Sequence, residues 1–102
     1  MPERKPRRLR PIHPGEILLE LLSEAGLSVH ALALALRVPA NRVGAIVKGE
    51  RGISGDTALR LARYFGTSPK MWMNLQASYD LAVAEDALRE KIEREVLPRS
   101  AA

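Results

Sequence analysis

The sequence predicts an all-α fold, a bundle of five to six helices, and three observations lead to this prediction. Three serines precede runs of helix-forming residues, where a helix N-cap is expected. Glycines follow the runs and mark helix ends. Between these signals apolar residues recur every three or four positions, the spacing of a buried helix face. The serines are Ser28, Ser54 and Ser68, and the glycines are Gly26, Gly49 and Gly66.

The first helix is predicted over Pro14–Ala25, with Gly26 ending it. Its inner stripe consists of Ile17, Leu18, Leu21 and Leu22, and its outer stripe of Glu16, Glu20 and Glu24. The three glutamates are interpreted as a solvated face rather than an acid–base site, because nothing in the sequence pairs with them. His13 is expected to be a turn or capping residue rather than a metal ligand.

The stretch from Leu27 to Gly49 predicts two short helices joined by a turn of about three or four residues. Ser28 caps the first, and Pro39 suits the first turn of the second. Gly49 closes the second helix. The inward residues are Leu32, Ala33 and Leu36 on the first helix and Val43, Ile46 and Val47 on the second, with Asn41, Arg42 and Lys48 facing outward. A helix pair with a polar outer face on its second member is the unit that reads DNA.

One segment of this pair also fits a strand, because Ala31–Leu36 reads ALALAL and has a period of two. Helix is preferred, since Ala forms helices well and strands poorly, and Ser28 supplies a cap. The helical interpretation leaves Leu34 as an apolar residue on a face that should be solvated.

Two further helices follow. Ser54 caps the fourth, with Asp56 favourable in its first turn, and Ser68 with Pro69 starts the fifth. The expected core residues are Ala58, Leu61, Ala62 and Phe65, then Trp72, Leu75 and Tyr79, while Arg60, Arg63 and Tyr64 face outward. An aromatic stripe at this spacing indicates core packing rather than a ligand site.

From Asp80 to Leu97 the pattern stays helical but becomes acidic. Leu81, Leu88 and Ile92, with Ala84, form a thin apolar seam that needs a partner, either the domain's own core or a second chain. The chain is therefore divided into a basic disordered arm (residues 1–11), a helix-turn-helix DNA-binding domain (12–79), a C-terminal acidic helix for dimerisation or partner contact (80–97) and a tail (98–102).

Composition excludes several classes of protein. The 102 residues suffice for one domain with a modest core, and the absence of cysteine rules out disulfides and thiol catalysis. With two histidines a zinc site is not expected, and no apolar run reaches the roughly 20 residues of a membrane span. No nucleophile–base set, metal cluster or cofactor loop occurs, so neither an enzyme nor a cofactor is expected. The N-terminus lacks the apolar core of a secretory signal, which favours the cytoplasm.

The net charge of +4 is unevenly distributed. Basic residues dominate both the N-terminal arm and residues 37–70, whereas the first helix and the C-terminal helix are acidic. A basic middle segment that contains a helix-turn-helix indicates a DNA-binding face rather than a merely solvated surface. In residues 48–54, Lys48 and Arg51 flank Gly49 and Gly52, so the backbone can approach a phosphate closely. The arm residues that can contact DNA, or serve only as a solubilising tail, are Arg4, Lys5, Arg7, Arg8 and Arg10.

Several ordered motifs make the chain resemble a known family. The segment from Leu27 to Gly49 is similar to the XRE/Cro/C1-type helix-turn-helix, which implies a lambda-repressor-like fold. Four further motifs are similar to HigA-type antitoxins, also called VapI-like antidote proteins: residues 13–18 (HPGEIL), 51–54 (RGIS), 58–62 (ALRLA) and 72–76 (WMNLQ). Two departures concern the reading unit. Arg37 stands where the inter-helix turn usually has a left-handed Gly, and Gly44 lies inside the recognition helix.

The resemblance implies an antitoxin of a type II toxin–antitoxin module that represses its own operon. Its toxin partner would be a HigB-like mRNA endonuclease. The other expected partners are double-stranded operator DNA and a second copy of the chain, because such domains usually bind paired half-sites about one helical turn apart, and no membrane is involved. The main alternative is a stand-alone transcriptional regulator without a toxin. A protein-only adaptor whose helix-turn-helix no longer reads DNA gains some weight from Ala40, Gly44 and Ala45.

The expected DNA-binding residues follow from the geometry of the motif. Asn41 and Arg42 lie in the first turn of the recognition helix, where an amide can pair with adenine and a guanidinium with guanine. Base reading is favoured for Arg42 over the alternative of gripping a phosphate. Lys48 and Arg51 are expected on phosphates, and Ser28 and His30 anchor the first helix on the DNA backbone. Ala40 and Ala45 are small enough to touch thymine methyl groups.

Overall fold

Five α-helices make up the computed structural model, which describes residues 10–100. They are α1 (Pro14–Ala25), α2 (Val29–Leu36), α3 (Ala40–Val47), α4 (Gly55–Phe65) and α5 (Pro69–Glu95). No strand occurs in this range, so the all-α prediction is confirmed and residues 31–36 are helical. Within it no single helix is both long and apolar enough to cross a membrane; only α1 and α2 taken together, bent by 99° from each other, pass that test. The basic arm predicted for residues 1–11 lies, apart from its last two residues, outside the described part of the chain.

The three predicted serine caps start the helices as expected. The hydroxyl oxygens of Ser28, Ser54 and Ser68 accept hydrogen bonds from backbone N–H groups three residues further on. Pro39 differs slightly from its prediction. Its backbone is extended, with ψ at 144°, so Pro39 is the N-cap of α3 and the helix begins one residue later, at Ala40.

All five helices contribute to one core. Trp72 is completely buried, and its indole N–H donates to the Thr67 hydroxyl over 2.9 Å, so the single polar group of the ring is satisfied. Around it pack apolar residues of the other helices and of the loop before α4, namely Leu18, Leu22, Leu32, Ala33, Leu36, Val43, Ile46, Ile53, Ala58, Leu61 and Ala62. This core fixes α2 and α3 against the rest of the domain.

The start of α1 is held by a capping box. The Nδ1 atom of His13 accepts from the Gly15 N–H over 2.8 Å, and the Glu16 carboxylate accepts from the His13 N–H. The capping role predicted for His13 is confirmed. Glu16, predicted on the solvated face, has a 40% exposed side chain, and both its oxygens also accept from the Arg10 guanidinium at 2.8 Å. This pairing lowers the pKa of Glu16 to about 2.

Helix α5 is continuous from Pro69 to Glu95 and, at 27 residues, is about 40 Å long. The boundary predicted after Tyr79 therefore coincides with no break in the helix, because neither Gly nor Pro stands there to end it. What changes along α5 is burial. Trp72 lies in the core, whereas Leu81, Leu88 and Ile92 are 62%, 42% and 48% exposed.

Candidate DNA-binding interface

The turn between α2 and α3 adopts the predicted helix-turn-helix geometry without a glycine. Arg37 is left-handed, at φ 62° and ψ 45°, and is the only non-glycine residue with positive φ in the described chain. Its N–H and that of Val38 donate to carbonyls of the last turn of α2. Arg37 thus takes the left-handed conformation that glycine usually supplies in this turn. A side chain in this conformation costs about 1–2 kcal/mol.

The C-terminal end of α3 leads into the basic loop, which is formed by residues 48–54. Gly49 has φ 78°, and its N–H donates to the backbone carbonyl of Ile46. The Glu50 N–H donates to the backbone carbonyl of Ala45. These two bonds are those of a Schellman motif, which needs a left-handed residue at this position and explains the glycine. The loop then carries Lys48 and Arg51, both exposed, away from the core.

The structure brings the expected DNA-binding residues to α2, α3 and the basic loop. Ser28 and His30 are exposed at the start of α2, and the Ser28 oxygen also accepts the capping bond from Ala31. Ala40 and Asn41 are exposed in the first turn of α3, and Ala45 is half-buried. No side-chain partner of Asn41 is seen within residues 10–100, so its amide remains available to a ligand.

Arg42 is an exception to the predicted outward face. Its side chain is 23% exposed, and Nη1 donates to the Asp56 carboxylate over 2.7 Å. Asp56, in the first turn of α4, also accepts from Arg60 Nε at 3.0 Å. These two guanidinium groups, Arg42 first, hold the pKa of Asp56 below its usual range. Arg42 is therefore attached to α4 rather than freely solvated.

Arg60 was expected to face outward, and it instead connects two helices. Besides contacting Asp56, its Nη1 donates to the carbonyl of Leu36 over 2.8 Å. That carbonyl belongs to the last residue of α2, where helix carbonyls lack partners within the helix. The sequence gives no sign of this bond, because the two residues are 24 positions apart.

Gln76 is a second residue whose role the sequence analysis missed. Its side-chain oxygen accepts from the Ile53 N–H at 2.7 Å, and its amide nitrogen donates to Asp80 at 2.9 Å. The amide lies against Gly52, where a Cβ would come within 2.9 Å of it. Gln76 therefore fastens the basic loop to α5. Its position four residues after Trp72, on the same helix face, was the available signal.

These residues form a surface suited to binding a polyanion. Lys48 and Arg51 offer exposed cations beside a helix whose first turn presents an amide. No group of three His, Cys, Asp or Glu side chains that could hold a metal ion is found among the residues described. The chemistry on offer is hydrogen bonding and charge, which are the means by which DNA backbone and base edges are recognised.

Comparisons with known proteins identify helix-turn-helix relatives of the chain. The helix-turn-helix family profile matches residues 18–72. The chain is 57% identical to virulence-associated protein I of Dichelobacter nodosus over 75 residues, covering 72% of this chain and 69% of that protein. It is 37% identical to antitoxin HigA-1 of Vibrio cholerae over 79 residues, covering 76% and 73%. A solved structure of Pseudomonas aeruginosa antitoxin HigA with the higBA promoter matches at a TM-score of 0.86 and 54% identity, covering 89% of this chain and 100% of that one.

Proposed function

The chain belongs to the HigA/VapI-type antitoxins of the XRE/Cro/C1-type helix-turn-helix family, and from this premise we propose that it binds operator DNA as a homodimer, represses its own operon and neutralises a HigB-like mRNA endonuclease. Its relatives are helix-turn-helix regulators and antitoxins, so the chain is a regulator and not an enzyme. Such a protein acts where the DNA is, in the cytoplasm. The exposed first turn of α3 beside the cations of the basic loop is the observation that supports DNA binding.

Base reading and phosphate contact are distinguished by substitution. We expect Asn41→Ala to relax the preference at one base pair of the DNA upstream of the chain's own gene, by about 1–3 kcal/mol. Fluorescence anisotropy on that duplex and on its single-base-pair variants measures the effect. The control is Asn74→Ala, which removes an exposed amide from α5. Equal base preferences for wild type and Asn41→Ala would contradict base reading by Asn41.

Lys48→Ala and Arg51→Ala should instead weaken binding to operator and random DNA alike. Each lost phosphate contact should lower the log–log salt slope of binding by about 0.9. Lys70→Ala, which removes an exposed cation from the first turn of α5, is the matched control and should leave the slope unchanged. A slope that falls equally for all three variants would mean that only net charge matters.

The second half of α5 supports the homodimer. Helices in proteins gain most of their stability by packing an apolar face, and the Leu81, Leu88 and Ile92 seam lacks cover within the described chain. The exposed Leu34, at 63%, is the other candidate surface. A dimer also suits DNA, because helix-turn-helix proteins usually bind paired half-sites about one helical turn apart. We place the dimer interface on the seam.

Light scattering at micromolar concentration tests this interface. Leu88→Glu should give a monomer, because a charge would replace a leucine at the centre of the seam. Val83→Glu is the control, since Val83 is 41% exposed, close to the 42% of Leu88, but lies about 140° away around the helix. A wild-type chain that stays monomeric with and without DNA would overturn the dimer.

Toxin binding is supported by the family and by charge. A ribonuclease toxin has to bind RNA and should be basic, so acidic surfaces are suitable docking sites. The sequence offers two acidic faces that could serve, one at Glu16, Glu20 and Glu24 and one at Asp86, Glu90 and Glu93. Because Glu16 is paired with Arg10, the α1 surface consists chiefly of Glu20 and Glu24, which are exposed.

Co-expression with the neighbouring gene product tests the pairing. Pull-down should recover a complex, and the complex should cleave RNA more slowly than the toxin alone. Reversing the charges of Glu20, Glu24, Glu90 and Glu93 together should restore cleavage. If protection survives this reversal, the docking surfaces are wrong even though the pairing stands. The absence of a short toxin-like reading frame beside the gene would favour the stand-alone regulator.

A further inference from the structure

Asp56 joins two arginines at the edge of the recognition helix. Its Oδ2 accepts from Arg42 Nη1 at 2.7 Å and its Oδ1 from Arg60 Nε at 3.0 Å. Both carboxylate oxygens are thus engaged by cations on different helices. The lowered pKa of Asp56 agrees with a carboxylate that remains charged in this position.

The position of Asp56 is itself fixed. Asp56 and Arg60 lie one turn apart on α4, and Arg60 Nη1 reaches across to the Leu36 carbonyl at the end of α2. The chain of contacts runs from α2 through Arg60 and Asp56 to Arg42 on α3. It therefore ties the guanidinium of Arg42 to both the preceding helix and the following one.

This attachment restricts a side chain that would otherwise sample many rotamers. Arg42 lies in the first turn of α3, the part that enters the major groove in this motif. Asp56 occupies the Nη1 side of its guanidinium, and the Nη2 and Nε donors take no described bond within residues 10–100. An arginine held in one orientation loses less conformational freedom when it binds a base edge.

We propose that Asp56 is a positioning residue that orients the Arg42 guanidinium to read one base pair of the operator. The inference rests on the proposed DNA-binding function. The ion pair adds only modestly to stability, since the Asp56 side chain is 52% exposed and exposed pairs contribute little. An acidic group beside a DNA-binding surface also repels phosphate, so its presence there favours a role in selectivity.

The experiment is a double-mutant cycle on base preference. The variants are Asp56→Asn, Arg42→Ala and their combination, with Glu50→Gln as the control that removes one negative charge from the basic loop. The probes are a duplex of the DNA upstream of the chain's own gene and its single-base-pair variants. The readout is the ratio of two affinities of the same protein, so partial unfolding cancels, and thermal unfolding of each variant checks the fold.

Arg42→Ala should lower the preference at one base pair, and Asp56→Asn should lower it at the same base pair by about 5- to 10-fold. In the Arg42→Ala background, Asp56→Asn should have no further effect on that ratio. Glu50→Gln should raise the affinity for all probes slightly and keep every preference.

Three results would overturn the proposal. The first is a set of base preferences for Asp56→Asn that matches the set for Glu50→Gln, which would mean that Asp56 acts only through its negative charge. The second is a loss of preference that persists in the Arg42→Ala background. The third is a gain of affinity for every probe on Asp56→Asn that exceeds the gain on Glu50→Gln while every base preference is kept, which would mean that Asp56 withholds Arg42 from DNA. A wild-type chain that binds none of the probes would instead refute the proposed function, and the inference with it.

Discussion

At the scale of single residues, two positions in the reading unit have backbone conformations that oppose their side chains. Arg37 is left-handed although it carries a Cβ, and Gly44 is helical although it carries none. Helix α3 nevertheless runs unbroken from Ala40 to Val47. Gly44 thus does not interrupt the recognition helix, although it costs about 1 kcal/mol relative to Ala.

Gly44→Ala should therefore stabilise the protein by up to about 1 kcal/mol, because a Cβ built at Gly44 meets no atom within 4 Å. Gly26→Ala is the matched control. Its Cβ also meets nothing within 4 Å, but its φ of 67° is unfavourable for alanine, so the variant should be destabilised by about 1 kcal/mol. Urea unfolding followed by circular dichroism measures both, and changes of the same sign would contradict the backbone explanation.

At the scale of elements, the N-terminus of α1 is packed end-on against the C-terminus of α3. A Cβ built at Gly15 would collide with the backbone carbonyl oxygen of Ile46. Nearby, the His13 ring meets the Tyr79 ring edge-to-face with centroids 4.8 Å apart, which adds α5 to the same junction. The end of the recognition helix is thus held by two other helices.

Gly15→Ala should destabilise the fold by about 1–3 kcal/mol, since backbone atoms of α1 and α3 would have to separate. Gly55→Ala offers a comparison at the first position of another helix, α4, where the added methyl group meets nothing within 4 Å. It should be neutral or slightly stabilising. The shift in urea midpoint distinguishes the two variants, and an equal shift for both would refute the close packing at Gly15.

At the scale of the whole molecule, two engaged carboxylates link the free energy of unfolding to pH. Arg10, and to a smaller extent the His13 N–H, lower the pKa of Glu16 from an ordinary 4.5 to about 2. Arg42 and Arg60 lower that of Asp56. A group with a lowered folded-state pKa stabilises the fold above its unfolded pKa, and this contribution disappears as the pH falls toward the folded value.

The free energy of unfolding should accordingly decrease as the pH falls from about 4.5 to 2. Glu16→Gln should be less stable than wild type at neutral pH and should lose less on acidification, because its share of the dependence is gone. Glu20→Gln removes a carboxylate from the outer face of the same helix and should keep the wild-type slope. Thermal unfolding across this range gives the slopes, and the prediction fails if the two variants behave alike.

Most of the fold was predictable because helix ends are encoded locally. Capping serines, Pro14 and the terminal glycines fixed the bounds of α1 and the starts of α4 and α5. The division drawn after Tyr79 marks a change of composition and burial within one continuous helix, in agreement with the helical pattern that the sequence keeps from Asp80 onward. Local signals are absent at such a point: a helix continues wherever no residue ends it.

The candidate site was predictable only in part, for a related reason. The residues on α3 and in the basic loop follow from helix periodicity and from the motif. The bonds that hold them join residues far apart in sequence: 14 positions for Arg42 and Asp56, and 23 for Ile53 and Gln76. No periodicity within one helix carries such information, so the outward interpretation of Arg42 and Arg60 needed the tertiary structure to correct it.

Because α5 is unbroken, the number of residues between the core and the seam determines the direction in which the seam faces. One residue inserted between Tyr79 and Leu81 would turn the seam by about 100° about the helix axis while leaving both ends chemically unchanged. Seven inserted residues would bring it back to within about 20° but move it about 10 Å outward. In a dimer paired through the seam, the first change would alter the relative orientation of the two reading helices, and the second would alter mainly their separation. The length and phase of a single helix would then set which spacing of DNA half-sites the pair can span.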